Sequence, residues 1–166
     1  MLALMKTAEG PGHLELRDIP TPKPAPGQAM IEVEAAGICA SDLHIRDWDI
    51  QLNLSPPFVL GHEFAGQIAE LGDGVDHLHV SQRVTSETAV SVCGTCIPCR
   101  AGEYNACVRK ELIGYVHDGC FTRYIVVPAE RVHPLPENVT TREAALTEPL
   151  AFAVHAVLEL THIQAG

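Results

Sequence analysis

Four of the six cysteines in this 166-residue sequence lie within fifteen positions, with two, two and seven residues between them. They are Cys93, Cys96, Cys99 and Cys107. A two-residue spacing lets the chain turn back so that consecutive thiolates reach one metal ion, and Gly94, Pro98 and Gly102 favour the bends. Four thiolates complete a tetrahedral zinc site with no position open for substrate. We therefore predict a structural zinc lobe over residues 93–107.

Other interpretations of this cysteine cluster remain open on spacing alone. The thiols could be reduced cysteines in a loop, a redox-active CxxC pair or the ligands of an iron–sulfur cluster. A redox sensor that releases zinc on oxidation is a further alternative. Rapid zinc loss under mild oxidant would favour that alternative.

A second group of possible metal ligands consists of Cys39, His62 and Glu63. Cys39 follows one strand-like segment and the His62–Glu63 pair precedes another, so a folded sheet could bring the three side chains together. Spacing alone is equally compatible with a buried core cysteine and a solvent-facing His–Glu pair.

Composition and charge exclude several classes of protein. With 46% hydrophobic residues the chain can bury a core, and its length suits one domain over residues 1–166. The formal net charge is −10, from 11 Lys and Arg against 21 Asp and Glu, which disfavours a nucleic-acid partner. No apolar run approaches the ~20 residues of a membrane span. We expect a cytoplasmic protein, in a reducing compartment where clustered cysteines favour metal ligation over disulfides.

The pattern of apolar and polar residues along the sequence predicts a mostly β protein with a few helices. Apolar and polar residues alternate over residues 28–35, 63–71 and 121–128, which is typical of half-buried strands. A proline-rich connection over residues 19–27 and a tight turn over residues 72–74 separate them. The first three-quarters of the sequence therefore predict a rolled antiparallel sheet or barrel.

Two short helices are predicted near the carboxyl end. Thr140 and Glu143 match a capping box that opens a helix through about residue 146. Pro149 stands where a second helix could begin. In that helix one apolar stripe, which must pack on something, consists of Leu150, Ala153, Val154, Val157 and Leu158.

Several segments together resemble a known family. AAGICASDLH, PFVLGHEFAGQIAELGDGV, EAALTEPLAFAVHAV and the four-cysteine lobe resemble zinc-containing medium-chain alcohol dehydrogenases, in particular the polyol and threonine dehydrogenase branch. The resemblance covers nearly the whole chain and lies in the amino-terminal catalytic domain of that family. It implies a GroES-like β-barrel with a small structural-zinc lobe.

The resemblance also implies ligands for a catalytic zinc ion, and so two zinc ions per chain. Cys39 and His62 match its first two ligands, and Glu63 matches an adjacent glutamate that is a ligand or an exchanging near-ligand. Glu148 stands where alcohol dehydrogenases in the strict sense have a cysteine and the polyol and threonine branch has a glutamate. A secondary alcohol, polyol or amino alcohol is therefore the expected small-molecule substrate.

Three residues around these ligands have implied supporting roles. Ser41 and His44 match positions that pass the substrate's hydroxyl proton to solvent, and Asp42 matches a carboxylate that orients the metal-bound histidine. Ser41 and Asp42 also fit helix caps, and His44 fits a surface position on the same turn.

The resemblance implies NAD or NADP as hydride acceptor and a homo-oligomeric full-length enzyme. The sequence contains no GxGxxG turn, so the Rossmann cofactor domain is expected to lie outside this chain. We expect residues 1–166 to be an amino-terminal catalytic-domain fragment that is inactive alone. The alternative is a stand-alone, non-enzymatic zinc-binding module.

Overall fold

Antiparallel strand pairs dominate the computed structural model, which describes residues 1–50, 52 and 54–161. The strands are β1 (Leu2–Lys6), β2 (Leu14–Asp18), β3 (Gln28–Gly37), β4 (Phe58–Val59), β5 (Glu63–Leu71), β6 (Arg83–Ser86), β7 (Ala89–Ser91), β8 (Glu111–Leu112), β9 (Tyr124–Pro128) and β10 (Val132–Pro134). The α-helices are α1 (Ala40–Asp47), α2 (Ile97–Arg100), α3 (Thr141–Ala144) and α4 (Thr147–Val154), and a π-helical segment, His155–Leu160, continues α4. Two short 3-10 helices span Tyr104–Ala106 and Ala129–Arg131.

The strands form a five-stranded sheet in the order β10-β6-β5-β3-β9, a three-stranded sheet β2-β1-β4 and a two-stranded pair β7-β8. The expected fold class, mostly β with a few helices, is confirmed. Pairings among the described residues give these three sheets and no single closed barrel. None of the helices in the described ranges is long and apolar enough to cross a bilayer.

The longest strand pairing joins β3 to β5, and it matches the two clearest alternating segments of the sequence. The predicted strand 63–71 coincides with β5, while β3 extends two residues beyond the predicted segment 28–35. Alternate residues of these strands bury Ile31, Phe64 and Ile68 in the main core, since successive side chains point to opposite faces of a strand. The predicted strand 121–128 forms only from residue 124 onward.

The carboxyl-terminal helices agree only partly with the predictions. The capping box is present, because the Thr140 hydroxyl accepts from the Glu143 N–H at 3.2 Å and the Glu143 carboxylate accepts from the Thr140 N–H at 2.9 Å. The second helix begins at Thr147, two residues before the predicted start at Pro149. Its apolar stripe does not pack as expected: all five residues are exposed in the described structure, Leu150 at 63%.

A buried lysine joins the first strand to two neighbouring segments. The Lys6 side chain is fully buried, and its ammonium donates to the carbonyls of Gly10 at 2.5 Å and Gly12 at 2.6 Å. It also lies 3.4 Å from the Arg46 carbonyl and 4.9 Å from the Trp48 ring centroid. Burial lowers the pKa of this lysine, against the opposing attraction of nearby Asp47. The carbonyls compensate for the lost hydration of the charge.

Replacement of this lysine should therefore destabilise the fold. We expect Lys6→Met to lower the free energy of unfolding by about 2 kcal/mol or more, because it keeps the aliphatic stem and leaves the partly buried carbonyls without their charged donor. Urea unfolding measures the change. The matched variant Lys23→Met, at an exposed position, should shift stability by no more than about 0.5 kcal/mol. Equal effects of the two variants would contradict the structural role of Lys6.

Candidate metal centre

Three predicted ligands converge where β3 ends and β5 begins. Cys39 caps the amino end of α1 just after β3, and His62 and Glu63 stand at the start of β5. One ligand atom from each of these side chains lies within 4.8 Å of the other two. The antiparallel register places Gly37 opposite Glu63, so the strand pairing itself brings the two segments together. Thiolate, imidazole and carboxylate are together a donor set that suits zinc.

A buried carboxylate supports the histidine of this group. His62 Nδ1 lies 3.7 Å from Asp42 Oδ1, and each side chain is only 4% exposed. Neither atom has a hydrogen-bond partner within the described structure. Asp42 Oδ2 accepts from the Cys39 N–H at 2.9 Å, while burial raises the pKa of the Asp42 carboxyl. A cation on the far side of the imidazole would compensate the cost of burying this polar pair, so the residues fit a metal.

Two glycines give the ligands room. A Cβ at Gly37 would collide with the Glu63 carboxylate, so only glycine accommodates that side chain as it stands. Gly61, just before His62, has φ +89°, and a Cβ there would overlap the Phe121 ring. Its carbonyl accepts from the Cys120 N–H at 2.9 Å, which ties the histidine segment to the chain leading into β9.

The four lobe cysteines form a second cluster, with one sulfur from each lying within 4.8 Å of the others. Backbone amides point at these sulfurs: the Cys96 N–H donates to Cys93 Sγ at 3.4 Å, and the Cys93 N–H donates to Cys107 Sγ at 3.4 Å. The Arg109 N–H also donates to Cys107 Sγ at 3.4 Å. Such N–H groups stabilise thiolates, the form of cysteine that binds metal.

The thiols of the lobe differ in their acidity. Hydrogen bonds from the backbone of Thr95 and Cys96 lower the pKa of Cys93 to about 5. Burial raises the pKa of Cys99 to about 12. Four thiolates at such close range repel one another, so a bound cation is required for all four to be charged together. The donor set fits the predicted zinc site.

A cleft of about 790 Å³ opens beside the first cluster and is lined by His62, Tyr115 and Glu148. The Tyr115 and His62 ring centroids are 5.3 Å apart. Glu148 lies in the first turn of α4, and burial raises the pKa of its carboxyl while His62 opposes that rise. Glu148 is not in the group of three donors found among the described residues. It lies in the wall of the adjoining cleft.

The predicted proton-transfer residues occupy different surroundings. Ser41 Oγ is buried in the first turn of α1 and has no hydrogen-bond partner within the described structure. His44 is exposed, and its Nδ1 lies 2.8 Å from Asp49 Oδ1. Their roles in proton transfer stay predictions.

Some features of the site were not found from the sequence. The register of β3 against β5 places Gly37 at the site, and the path of a loop places Tyr115 there. No spacing pattern in the sequence points to either residue. Glu87 and Arg131, two charged residues that line the cleft, were also not found from the sequence. The prediction of ligands rested on residue type and on family resemblance.

Comparisons with known proteins agree with this geometry. Residues 25–137 match the alcohol dehydrogenase GroES-like domain. The chain is 43% identical to a sorbitol dehydrogenase of Halalkalibacterium halodurans over 100% of its length, and 42% identical to an L-threonine 3-dehydrogenase of Pyrococcus horikoshii over 95%. A Sinorhizobium meliloti protein provisionally assigned as a zinc-binding dehydrogenase, solved with NADP bound, superposes with a TM-score of 0.90 at 33% identity over 99% of the chain.

The chain spans about half of each of these proteins, namely 48%, 45% and 46% of their lengths. The domain match covers well over half of the chain and includes the first donor cluster and the cysteine lobe. On these grounds the chain belongs to the alcohol dehydrogenase family, of which it carries the GroES-like domain.

Proposed function

We propose that this chain is the zinc-binding catalytic domain of an NAD(P)-dependent dehydrogenase that oxidises a secondary alcohol, polyol or amino alcohol. The observation that carries the proposal is the convergence of Cys39, His62 and Glu63 beside an open cleft. The sorbitol and threonine dehydrogenases among its relatives support this substrate class, and the NADP-bound relative supports a nicotinamide dinucleotide.

The proposed roles follow from the position of each side chain. Cys39, His62 and Glu63 would hold zinc, which supplies Lewis acidity at the substrate oxygen when bound. Asp42 would orient the His62 ring from its Nδ1 side, where the carboxylate lies 3.7 Å away, and the burial of both side chains excludes water from that face. Ser41, next to Asp42 in the first turn of α1, is proposed from the family resemblance to receive the substrate's proton.

Glu148 approaches the site from α4. Its partly buried carboxyl, with its raised pKa, lies in the same cleft as His62 and contributes negative charge near the donors. A glutamate at this position is the feature that favours polyol and amino-alcohol substrates over ethanol.

The cysteine lobe is proposed as a separate structural zinc site. All four donors are thiolates, which leaves no position for substrate, and the loop is too short to bury a core of its own. Its metal would therefore stabilise the loop without taking part in the reaction.

We expect two zinc ions per chain in protein purified without chelator, because the two donor clusters are separate. Elemental analysis should find one zinc in the Cys96→Ser variant, and its 93–107 loop, without a metal, should lose protection from amide hydrogen exchange. The control Cys120→Ala changes a buried cysteine outside both clusters and should keep two. A full zinc content in the Cys96→Ser protein, or none in the folded wild type, would refute the assignment.

Gly37→Ala tests the carboxylate of the first cluster without changing a ligand. The added methyl group displaces the Glu63 side chain, so zinc at this site should bind about 10- to 100-fold more weakly, as is typical when a supporting residue is lost. Competition with a chromogenic chelator measures both affinities in one sample. The lobe zinc serves as the internal control, and equal weakening of both sites would indicate general unfolding.

The assignment of Glu148 is tested by metal content and turnover together. In the full-length protein the wild type should oxidise a secondary alcohol with NAD or NADP, and Glu148→Ala should abolish that activity and weaken the first zinc site about 10-fold or more. Glu137→Ala, at an exposed position, should leave both properties unchanged. If Glu148→Ala loses only about 1 kcal/mol of stability, the residue is a helix cap and its assignment to the site is wrong.

A further inference from the structure

A second polar group, made of residues other than the proposed metal ligands, lines the same cleft. Glu87 follows β6, Arg131 precedes β10 and His133 lies within β10. Arg131 Nη1 donates to Glu87 Oε2 at 2.9 Å, and His133 Nε2 lies 3.2 Å from Glu87 Oε1. Each carboxylate oxygen thus has one protein partner and retains a lone pair that can accept a further hydrogen bond.

The backbone holds this group in place. The Glu87 N–H donates to the Arg131 carbonyl at 2.9 Å, and the Ser86 hydroxyl donates to the same carbonyl at 3.1 Å. The Arg131 side chain is only 16% exposed, and its guanidinium lies over the Tyr104 ring of the cysteine lobe, 6.0 Å from the centroid. Glu87 and His133 are about half exposed, at 41% and 57%, so they can meet a ligand in the cleft.

Charge limits the kind of ligand that this group can bind. Four carboxylates line the cleft, from Glu87, Glu103, Glu148 and Glu159, against the permanent cations Lys110 and Arg131. Lys110 is already bonded to the Asn105 carbonyl at 2.6 Å. A phosphate dianion would meet this excess of negative charge, and a plain alkyl chain would strip water from the carboxylates without replacing its hydrogen bonds.

Neutral hydroxyl groups suit the Glu87–Arg131 pair better than ions do. The pair has no net charge, so an ammonium group gains little from Glu87 while Arg131 repels it. A hydroxyl can donate to the carboxylate and accept from the guanidinium or imidazole at the same time. Two neighbouring hydroxyls on one carbon chain would use both oxygens of the carboxylate.

We propose that Glu87, held by Arg131 and His133, forms an outer subsite that binds the distal hydroxyl groups of a polyol whose reacting carbon lies near His62, the one member of the first donor cluster that lines the cleft. The subsite rests on the proposed function and narrows its substrate class to polyhydroxylated chains. Arg131 and His133 act as positioning residues for Glu87.

The test compares two alcohols in the full-length protein, a six-carbon polyol and 2-butanol, which has no distal hydroxyl group. Glu87→Gln should raise KM for the polyol about tenfold or more, the loss expected for one hydrogen bond to a charged group, and leave kinetics with 2-butanol within about threefold. Arg131→Lys should show the same selectivity, since it keeps the charge and loses the planar fork. The control Glu130→Gln removes a carboxylate 3.6 Å from Arg131 Nε that is not among the cleft-lining residues, and it should change neither KM.

Equal effects on both alcohols, or no effect on the polyol, would overturn the subsite. So would a larger loss with a phosphorylated polyol or a 3-hydroxy amino acid than with the polyol. If the wild type oxidises neither alcohol, the proposed function fails, and ligand-observed NMR with the zinc-loaded chain decides the subsite separately. Polyol binding that weakens in Glu87→Gln supports it, and an absence of polyol binding to the wild type refutes it.

Discussion

The pairing of β3 with β5 is the interaction on which the candidate metal centre depends. The two strands are adjacent over almost their whole lengths, and their register sets Gly37 against Glu63. Cys39 follows one strand and His62 precedes the other, so a ligand group from two distant parts of the sequence forms at one end of the pair. A shift of one residue in register would turn the side chains of β5 to the opposite face and move Glu63 away from Cys39. The core residues Phe64 and Ile68 oppose such a shift because they would lose their burial.

Secondary structure was predicted most accurately from the sequence where one physical signal was strong. Alternation identified β5 to the residue because its inward positions are apolar, and the capping box of α3 is local chemistry that needs no tertiary context. Spacing alone did not decide whether Cys39, His62 and Glu63 are metal ligands. The family resemblance supplied that assignment. The rim pair Glu87–Arg131 was not predictable, because it depends on how β6 pairs with β10. The predicted apolar stripe over residues 150–158 is exposed in the described structure, because periodicity predicts an apolar face and not the surface that would cover it.

The cleft is lined both by a member of the first donor cluster and by residues of the cysteine lobe. Its walls include His62 just before β5, Glu148 of α4, and Tyr104 and Asn105 of the cysteine lobe. Asn105 Nδ2 lies 3.5 Å from His155 Nε2, so the lobe reaches the helical side of the cleft. Stability of the lobe and shape of the cleft are therefore linked, although no lobe cysteine belongs to the His62 donor group.

The seven residues between Cys99 and Cys107 consequently carry two separable requirements. The segment must hold Cys99 and Cys107 so that both sulfurs reach the lobe cluster. Its middle residues only have to line the cleft. Substitutions at Tyr104 or Asn105 can change the outline of the cleft while the four sulfurs keep their positions. A loop anchored at both ends by cysteines can therefore change in its middle without altering the donors of either cluster.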